Sequence, residues 1–169
     1  SSVCAVISGD GGYIISGVTN SNDGDVNGNH LSKYGHPSED FWVIKLSSKG
    51  DLLWQKCLGG SNADIPYSII RTNDNGFIIA GMTNSNDGDV TNNSGTEDGW
   101  IIKIASNGKI KWQKCFGGAG QEIIYSIIPS SDGGYLAVGE SSSSEGDYSD
   151  NHGNNDYWIL KLDSVGNIE

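Results

Sequence analysis

Asp98-Gly99-Trp100-Ile101-Ile102-Lys103-Ile104 is the middle copy of a segment that occurs three times in the chain. The other copies begin at Asp40 and Asp156, so neighbouring copies are 58 residues apart. A fixed long period indicates that one structural unit is built repeatedly. We therefore expect three units, at residues 1–60, 61–118 and 119–169, and the last of these ends before its fourth strand is complete.

The segments around this repeat have the composition of strands and turns. Each unit begins with a short apolar strand, and a tight Asp-Gly-Gly or Asp-Asn-Gly turn leads into a second strand. Glycine and asparagine accept the positive φ that a two-residue hairpin turn requires, so we expect hairpins there. A long polar loop then precedes the Asp-x-Trp strand. A second glycine turn leads to a fourth strand, in which Trp112 and Lys114 alternate with Gln113 and Cys115.

Four antiparallel strands in a meander, built three times, predict an all-β, β-propeller-like array. The alternative is a β-trefoil, which also has three four-stranded repeats. Propellers close with about four to eight blades, and this chain has three units. We therefore expect either a fragment of a longer repeat protein, as the start at Ser1 without methionine suggests, or copies that complete one another.

Composition and charge exclude some classes of partner. The net charge is −11, with 10 basic residues against 21 acidic ones. Phosphate binding needs clustered lysine and arginine, so we expect no nucleic-acid partner. No apolar run approaches the roughly 20 residues that span a bilayer, so we expect no membrane span. The three cysteines are expected to be free, because equivalent positions in neighbouring units are normally too far apart for a disulfide.

The repeated pattern resembles a known group of repeats. It reads Asp-Gly-Gly-Tyr-x-x-x-Gly, then Asp-x-Trp-x-x-Lys, then Trp-x-Lys-x-x-Gly-Gly, and it is similar to glycine- and tryptophan-rich propeller-like repeats of bacterial secreted and cell-surface proteins. The segment from Lys45 to Trp54 also looks like the tryptophan-docking hairpin of quinoprotein-type propellers. The resemblance implies an extracellular or cell-surface module that serves as a scaffold or binding surface.

The long polar loops carry the residues that we single out as candidate ligand contacts. Their acidic residues lie at matching positions of the three units, and two tyrosines in the variable parts are available for ligand contact: Asp23, Asp25, Asp87, Asp89, Glu145, Asp147, Tyr34 and Tyr148. Oxygen-rich loops suit Ca²⁺, and Asp87 and Asp89 are the candidate ligands. The spacing does not fit an EF-hand loop, however, and such residues also bond their own backbone in turns. We expect no other cofactor.

Other repeated residues are expected to be structural. A tryptophan that recurs in a blade normally packs one sheet against the next, so we assign five tryptophans to the core: Trp42, Trp54, Trp100, Trp112 and Trp158. Asp40, Asp98 and Asp156 precede the third strand and are expected to accept backbone N–H bonds. Lys45, Lys103 and Lys161 are expected to be exposed or paired with an acid on a neighbouring strand.

No nucleophile elbow, phosphate loop or zinc ligand set appears, so we expect no enzyme. The leading hypothesis is an extracellular repeat module for structural assembly or protein interaction, with other copies or further repeats as partners. One alternative is a lectin-like module that binds glycans, assisted by calcium. The other is a fragment of a glycoside hydrolase, because paired carboxylates are the groups that such enzymes use.

Overall fold

The computed structural model describes residues 2–147 and 151–169, and it is all-β, with eleven strands in three antiparallel sheets. The first sheet contains β1 (Val3–Ile7), β2 (Tyr13–Thr19), β3 (Asp40–Leu46) and β4 (Leu52–Leu58). The second contains β5 (Asp64–Arg71), β6 (Phe77–Thr83), β7 (Asp98–Ile104) and β8 (Ile110–Phe116). The third contains β9 (Glu122–Pro129), β10 (Tyr135–Ser141) and β11 (Asp156–Leu162).

The strands of each sheet follow one another in chain order, as expected for a meander. Every pair is antiparallel, and equivalent residues hold equivalent registers: Trp42 lies opposite Cys57, and Trp100 lies opposite Cys115. The all-β class and the repeated strand order are thus confirmed. The described residues form three stacked sheets, and no closed ring or barrel is detected among them.

The first turn of each unit differs from the predicted two-residue hairpin. Between β1 and β2 the loop runs from Ser8 to Gly12, and the N–H of Gly11 donates to the carbonyl of Ser8 at 3.1 Å. Gly11 has a φ of 80°, as the left-handed end of such a turn requires. The longer loop is stabilised by Asp10, whose Oδ1 accepts the N–H of Gly12 at 3.0 Å.

The sheets pack face to face, with β1, β5 and β9 next to one another. Every residue of β6 and β7 is buried, because the central sheet is covered on both sides. In contrast, burial alternates along β3 and β11. Successive side chains of a strand point to opposite faces, so the outer sheets each have one covered and one open face. The burial pattern of a strand is thus set by its place in the stack.

Two apolar clusters fill the spaces between the sheets. The first joins the first and second sheets and includes Phe41, Val43, Trp100 and Ile102. The second joins the second and third sheets and includes Ile101, Ile124, Trp158 and Leu160. Over residues 2–147 and 151–169 there is no helix with the length and apolar character to cross a membrane.

Candidate functional site

Buried charged groups concentrate where one sheet meets the next. We define junction one as Asp40, Gly59-Gly60, Asp64 and the loop 85–89. Junction two consists of the equivalent groups, Asp98, Gly117-Gly118, Glu122 and the loop 143–147. Asp40, Asp64, Asp98 and Glu122 are each at most 1% exposed.

The loop between the second and third strands of one sheet is bonded to the Gly-Gly pair of the preceding sheet. In junction one the N–H of Asp89 donates to the carbonyl of Gly59 at 2.8 Å. In junction two the N–H of Asp147 donates to the carbonyl of Gly117 at 3.2 Å, and its Oδ2 accepts the N–H of Gly117 at 3.0 Å. The polar loops therefore act as clips between neighbouring sheets.

Asp64 and Glu122 hold the other side of each junction. They are the first residues of β5 and β9. Oδ2 of Asp64 accepts the N–H of Gly60 at 2.8 Å, and Oε2 of Glu122 accepts the N–H of Gly118, also at 2.8 Å. Burial is tolerated because each carboxyl is hydrogen-bonded.

Asp40 and Asp98 accept backbone N–H groups from the end of the long loop, as the sequence led us to expect. Oδ2 of Asp40 accepts the N–H of His30 at 2.9 Å and lies 2.7 Å from Nδ1 of the same residue. Oδ2 of Asp98 accepts the N–H of Ser94 at 2.8 Å. Two carboxyl groups thus meet at each junction. A Cβ at Gly59 would overlap both Asp40 and Asp64, and a Cβ at Gly117 would overlap both Asp98 and Glu122.

Burial raises the pKa of three of these carboxyl groups. For Asp64 desolvation is the main cause, with a smaller contribution from the charge of Asp40, and the pKa is about 7. Desolvation likewise raises the pKa of Asp98 to about 6, and it raises the pKa of Asp89. A proton on one carboxyl of each pair relieves the repulsion between them. The junctions are therefore sensitive to pH near neutrality.

We expect the stability of the chain to fall as the pH rises from about 4 to about 7. Asp64 has a pKa of 3.8 in the reference state and about 7 in the fold, so the folded chain binds more protons in this window. Asp64→Asn should flatten this slope, because an amide does not titrate in this window. The variant should keep its fold, because the amide oxygen can still accept from Gly60 and Ser85 while the nitrogen donates to Thr83. Urea unfolding at a series of pH values measures the effect, which we expect to be on the order of 2–4 kcal/mol across the window.

Asp51→Asn is the matched control, because Asp51 lies at the surface in a turn. We expect this variant to keep the pH slope of the original chain. A slope that survives Asp64→Asn unchanged would show that this carboxyl does not hold its proton in the fold.

The predicted ligand residues fall into two groups. Asp87, Asp89 and Asp147 are in the junctions, where Oδ1 of Asp87 accepts the N–H of Ser61 at 2.7 Å. Glu145 also lies in the loop of junction two, and the remaining described residues lie exposed in the long loop of the first sheet: Asp23, Asp25 and Tyr34. Tyr34 is 76% exposed, with Nζ of Lys33 5.0 Å from its ring centre. Tyr148 lies outside the described residues.

The described residues contain no group of three His, Cys, Asp or Glu side chains arranged to hold a metal ion. The carboxylates of Asp87 and Asp89, the candidate calcium ligands, accept backbone N–H groups of Ser61 and Gly59, the latter at 3.4 Å. Both carboxylates therefore bond the preceding sheet. The turn interpretation had expected them to bond the backbone of their own loop.

The repeated lysine of the third strand is paired with an acid in every unit, but the acid lies in the first turn of the unit and not on a neighbouring strand. Nζ of Lys45 lies 2.8 Å from Oδ1 of Asp10, and Nζ of Lys103 lies 2.8 Å from Oδ1 of Asp74. Lys161 pairs with Asp132 in the same way, at 2.6 Å. Lys45 and Lys103 are buried, so they belong to the fold and not to an exposed face. Both residue types recur in every unit, 35 residues apart in the first and 29 apart in the second, and this recurrence was the available signal in the sequence.

The five tryptophans take three different positions. Trp100 and Trp158 are buried between sheets, whereas Trp42, at the equivalent position, is half-buried on the open face of the first sheet. Trp54 and Trp112 reach from a fourth strand to the next sheet. Nε1 of Trp54 donates to the carbonyl of Ser106 at 3.3 Å, and the ring of Trp112 lies against Gly166.

No protein-family model matches the chain, and a search of curated proteins found no significant match.

Proposed function

We propose that the chain is a non-enzymatic structural module whose propeller-like units stack end to end with further units of the same kind. Such units are supplied by other copies of the chain or by further repeats of a longer protein. The similarity of the repeats to those of bacterial secreted and surface proteins supports an extracellular or cell-surface location. The stacked sheets described above support the propeller-like arrangement.

The observation that carries the proposal is the exposure of the two outer faces. Val43 and Ile101 occupy equivalent positions in β3 and β7, and both are fully buried between sheets. Ile159, the third member of this set, is 66% exposed on β11, and Tyr157 beside it is 92% exposed. At the other end of the stack, Val3 is 72% and Ile7 is 64% exposed. Large apolar faces of this kind mark interaction sites.

The second and third sheets contact the preceding sheet through two glycine positions each, and the equivalent glycines of the first sheet have no such contacts. Gly88 and Gly146 lie close to the Gly-Gly pair of the preceding sheet, whereas a Cβ at the equivalent Gly24 would meet no described atom within 4 Å. Gly108 and Gly166 each receive a tryptophan of the preceding sheet, whereas Gly50 has no described neighbour within 4 Å. The first sheet thus leaves open the positions that the other two sheets use at their junctions.

The lectin-like and hydrolase alternatives receive less support from the geometry. The carboxylates of Asp87, Asp89 and Asp147 accept backbone N–H groups, and Asp64 and Glu122 are buried. Each of the three loop carboxylates already holds a backbone N–H of the preceding sheet, and the two buried carboxyl groups are out of reach of a sugar. We therefore assign the polar loops to holding one sheet on the next.

The mass in solution tests the proposal. We expect light scattering to give a mass above the 17.9 kDa of one chain, increasing with concentration. Ile159→Glu should return the mass to that of one chain, because it places a charge on the open face of the third sheet. Ile110→Glu is the control, because Ile110 is exposed on β8 of the central sheet and lies on neither end face.

A mass of one chain at the highest soluble concentration would contradict the proposal. So would association that Ile159→Glu and Ile110→Glu reduce equally, because the contact would then lie elsewhere.

A further inference from the structure

Two cavities of similar size lie between neighbouring sheets, at the end of the strands opposite the polar loops. Cavity one, of about 340 Å³, lies between the first and second sheets and is lined by Asp10, Lys45, Phe77 and Ser106. Cavity two, of about 350 Å³, lies between the second and third sheets and is lined by the equivalent Asp74, Lys103, Tyr135 and Ser164, and by Arg71. Because cavity one lies between two sheets of four strands each, the cavity belongs to the repeated architecture. Its volume is within the range of ligand pockets, about 300–1,000 Å³.

The wall of cavity two contains a buried tyrosine whose hydroxyl group has no partner. Tyr135 is 6% exposed, and its hydroxyl forms no hydrogen bond with residues 2–147 and 151–169. Desolvation, with a smaller contribution from the charge of Asp74, raises the pKa of Tyr135, so the group stays a neutral O–H donor. Phe77 has the equivalent position in cavity one and is 1% exposed. The packing of two sheets therefore does not require this hydroxyl.

The ammonium group of Lys103 also has a hydrogen atom to donate into cavity two. Nζ of Lys45 makes three hydrogen bonds in cavity one. Nζ of Lys103 makes two among the described residues, at 2.7 Å to Oγ1 of Thr72 and at 2.8 Å to Oδ1 of Asp74. An ammonium group has three donors, so one N–H of Lys103 remains for a ligand.

The charges around cavity two favour an anion. Asp74 bonds both Lys103 and Lys111 at 2.8 Å; desolvation opposes ionisation, but these bonds hold the pKa of Asp74 well below its ordinary value. Asp132, in the first turn of the third sheet, is itself paired with a lysine. Arg71 forms no ion pair within residues 2–147 and 151–169, and it makes one of the five hydrogen bonds that a guanidinium group can donate. One positive charge at the cavity thus has no partner.

We propose that cavity two binds a sugar acid, that is, a monosaccharide that carries a carboxylate. Arg71 pairs with the carboxylate, because a guanidinium and a carboxylate form two parallel hydrogen bonds. Lys103, Tyr135 and the hydroxyl of Ser164 donate to the other oxygen atoms of the ligand. One unpaired cation matches the single charge of a carboxylate better than that of a phosphate monoester, which carries about −1.5 to −2. This function goes beyond stacking and does not depend on it, because both walls of the cavity belong to one chain.

Titration of the labelled chain with glucuronate, followed by nuclear magnetic resonance, tests the proposal. We expect saturable shifts of the backbone amides at Thr72, Gly133 and Tyr135, which line cavity two. Glucose lacks the carboxylate, and acetate lacks the ring and its hydroxyl groups. We expect each of these two controls to bind roughly tenfold more weakly than glucuronate, because each loses hydrogen bonds that the cavity offers.

Tyr135→Phe tests the buried hydroxyl. The variant should keep its fold, because it gives cavity two the aromatic residue that cavity one already has. We expect it to bind glucuronate roughly tenfold more weakly. Tyr13→Phe is the matched control, because Tyr13 has the equivalent position in the first sheet and lines neither cavity. It should bind as the unaltered chain does. Arg71→Gln should abolish the preference for glucuronate over glucose, because it removes the partner of the carboxylate.

The absence of shifts at cavity two with glucuronate in excess would overturn the proposal. So would glucose or acetate that binds as tightly as glucuronate, or a folded Tyr135→Phe variant that keeps the original affinity. If Tyr135→Phe fails to fold, which its spectrum reveals, the comparison of the three ligands on the unaltered chain decides alone. None of these results bears on the stacking of sheet faces, which is measured by mass without ligand.

Discussion

Trp100→Ala is expected to lower the free energy of unfolding by about 3–5 kcal/mol, the range for a large aromatic side chain removed from a core. The indole is fully buried between the first two sheets, and its ring centre lies 4.9 Å from that of Phe41. The substitution also leaves Gln113 without its indole partner. Thermal unfolding measures the loss, and for a chain of this size we expect the midpoint to fall by about 10 °C or more.

Trp42→Ala is the matched control, because Trp42 occupies the same position in the first sheet and donates to Gln55 in the same way. It is only half-buried, since no sheet covers that face in a single chain. We expect a loss of roughly 1–2 kcal/mol, measured where light scattering gives the mass of one chain. Equal losses for both variants would contradict the burial difference between the ends and the middle of the stack.

Gly81→Ala is expected to lower the free energy of unfolding by about 3 kcal/mol through overpacking. The register of β5 and β6 shifts between Pro66 and Ser68, and this bulge brings the backbone against Gly81. A Cβ at Gly81 would overlap the carbonyl oxygen of Ile65. That oxygen belongs to the backbone of a central sheet and cannot move without breaking the pairing. Urea unfolding measures the loss.

Gly17→Ala should instead raise the free energy of unfolding. Gly17 is the equivalent residue of β2, the register of β1 and β2 has no shift, and the nearest atom to its Cβ position is Cγ2 of Val3, at 3.4 Å. Alanine then reduces the freedom of the unfolded chain and stabilises by about 0.4–1 kcal/mol. A destabilising Gly17→Ala of the same size as Gly81→Ala would show that the bulge is not the cause.

The strand order was predictable because it depends on local signals. The Asp-x-Gly turns and the 58-residue period are visible in the sequence, and β3, β7 and β11 each begin at the repeated aspartate. The length of the first turn was not predictable, because the longer loop is stabilised by a contact between Asp10 and Lys45, which are 35 residues apart. Such pairs form only after the sheet has brought the turn to the lysine.

The roles of the loop residues were less predictable, because they depend on contacts between sheets. Nothing in the local sequence distinguishes Asp25, which is exposed, from the equivalent Asp89, which bonds the preceding sheet. Likewise, Trp42 and Trp100 share a sequence pattern and differ only in whether another sheet covers them. Repetition predicts the unit, and the place in the stack decides what each copy contacts.

Position in the stack also explains the proposed assembly. The central sheet shows both junctions complete, with Phe41 on one side and Ile124 on the other fully buried. Each outer sheet has one such junction and one open face. If a further unit binds there as the internal sheets do, the open face of the third sheet must meet the open face of the first. A contact between unlike faces is heterologous, and it continues from chain to chain.

Cross-linking between the two end faces tests this claim most directly. With Cys4, Cys57 and Cys115 replaced by alanine, one population carries Ala5→Cys on the open face of the first sheet, and the other carries Ile159→Cys on that of the third. We expect oxidation of the mixture to give linked pairs of one chain from each population, and little linkage when either population is oxidised alone. Linkage of Ile159→Cys chains to one another, or none in the mixture, would contradict end-to-end stacking through unlike faces.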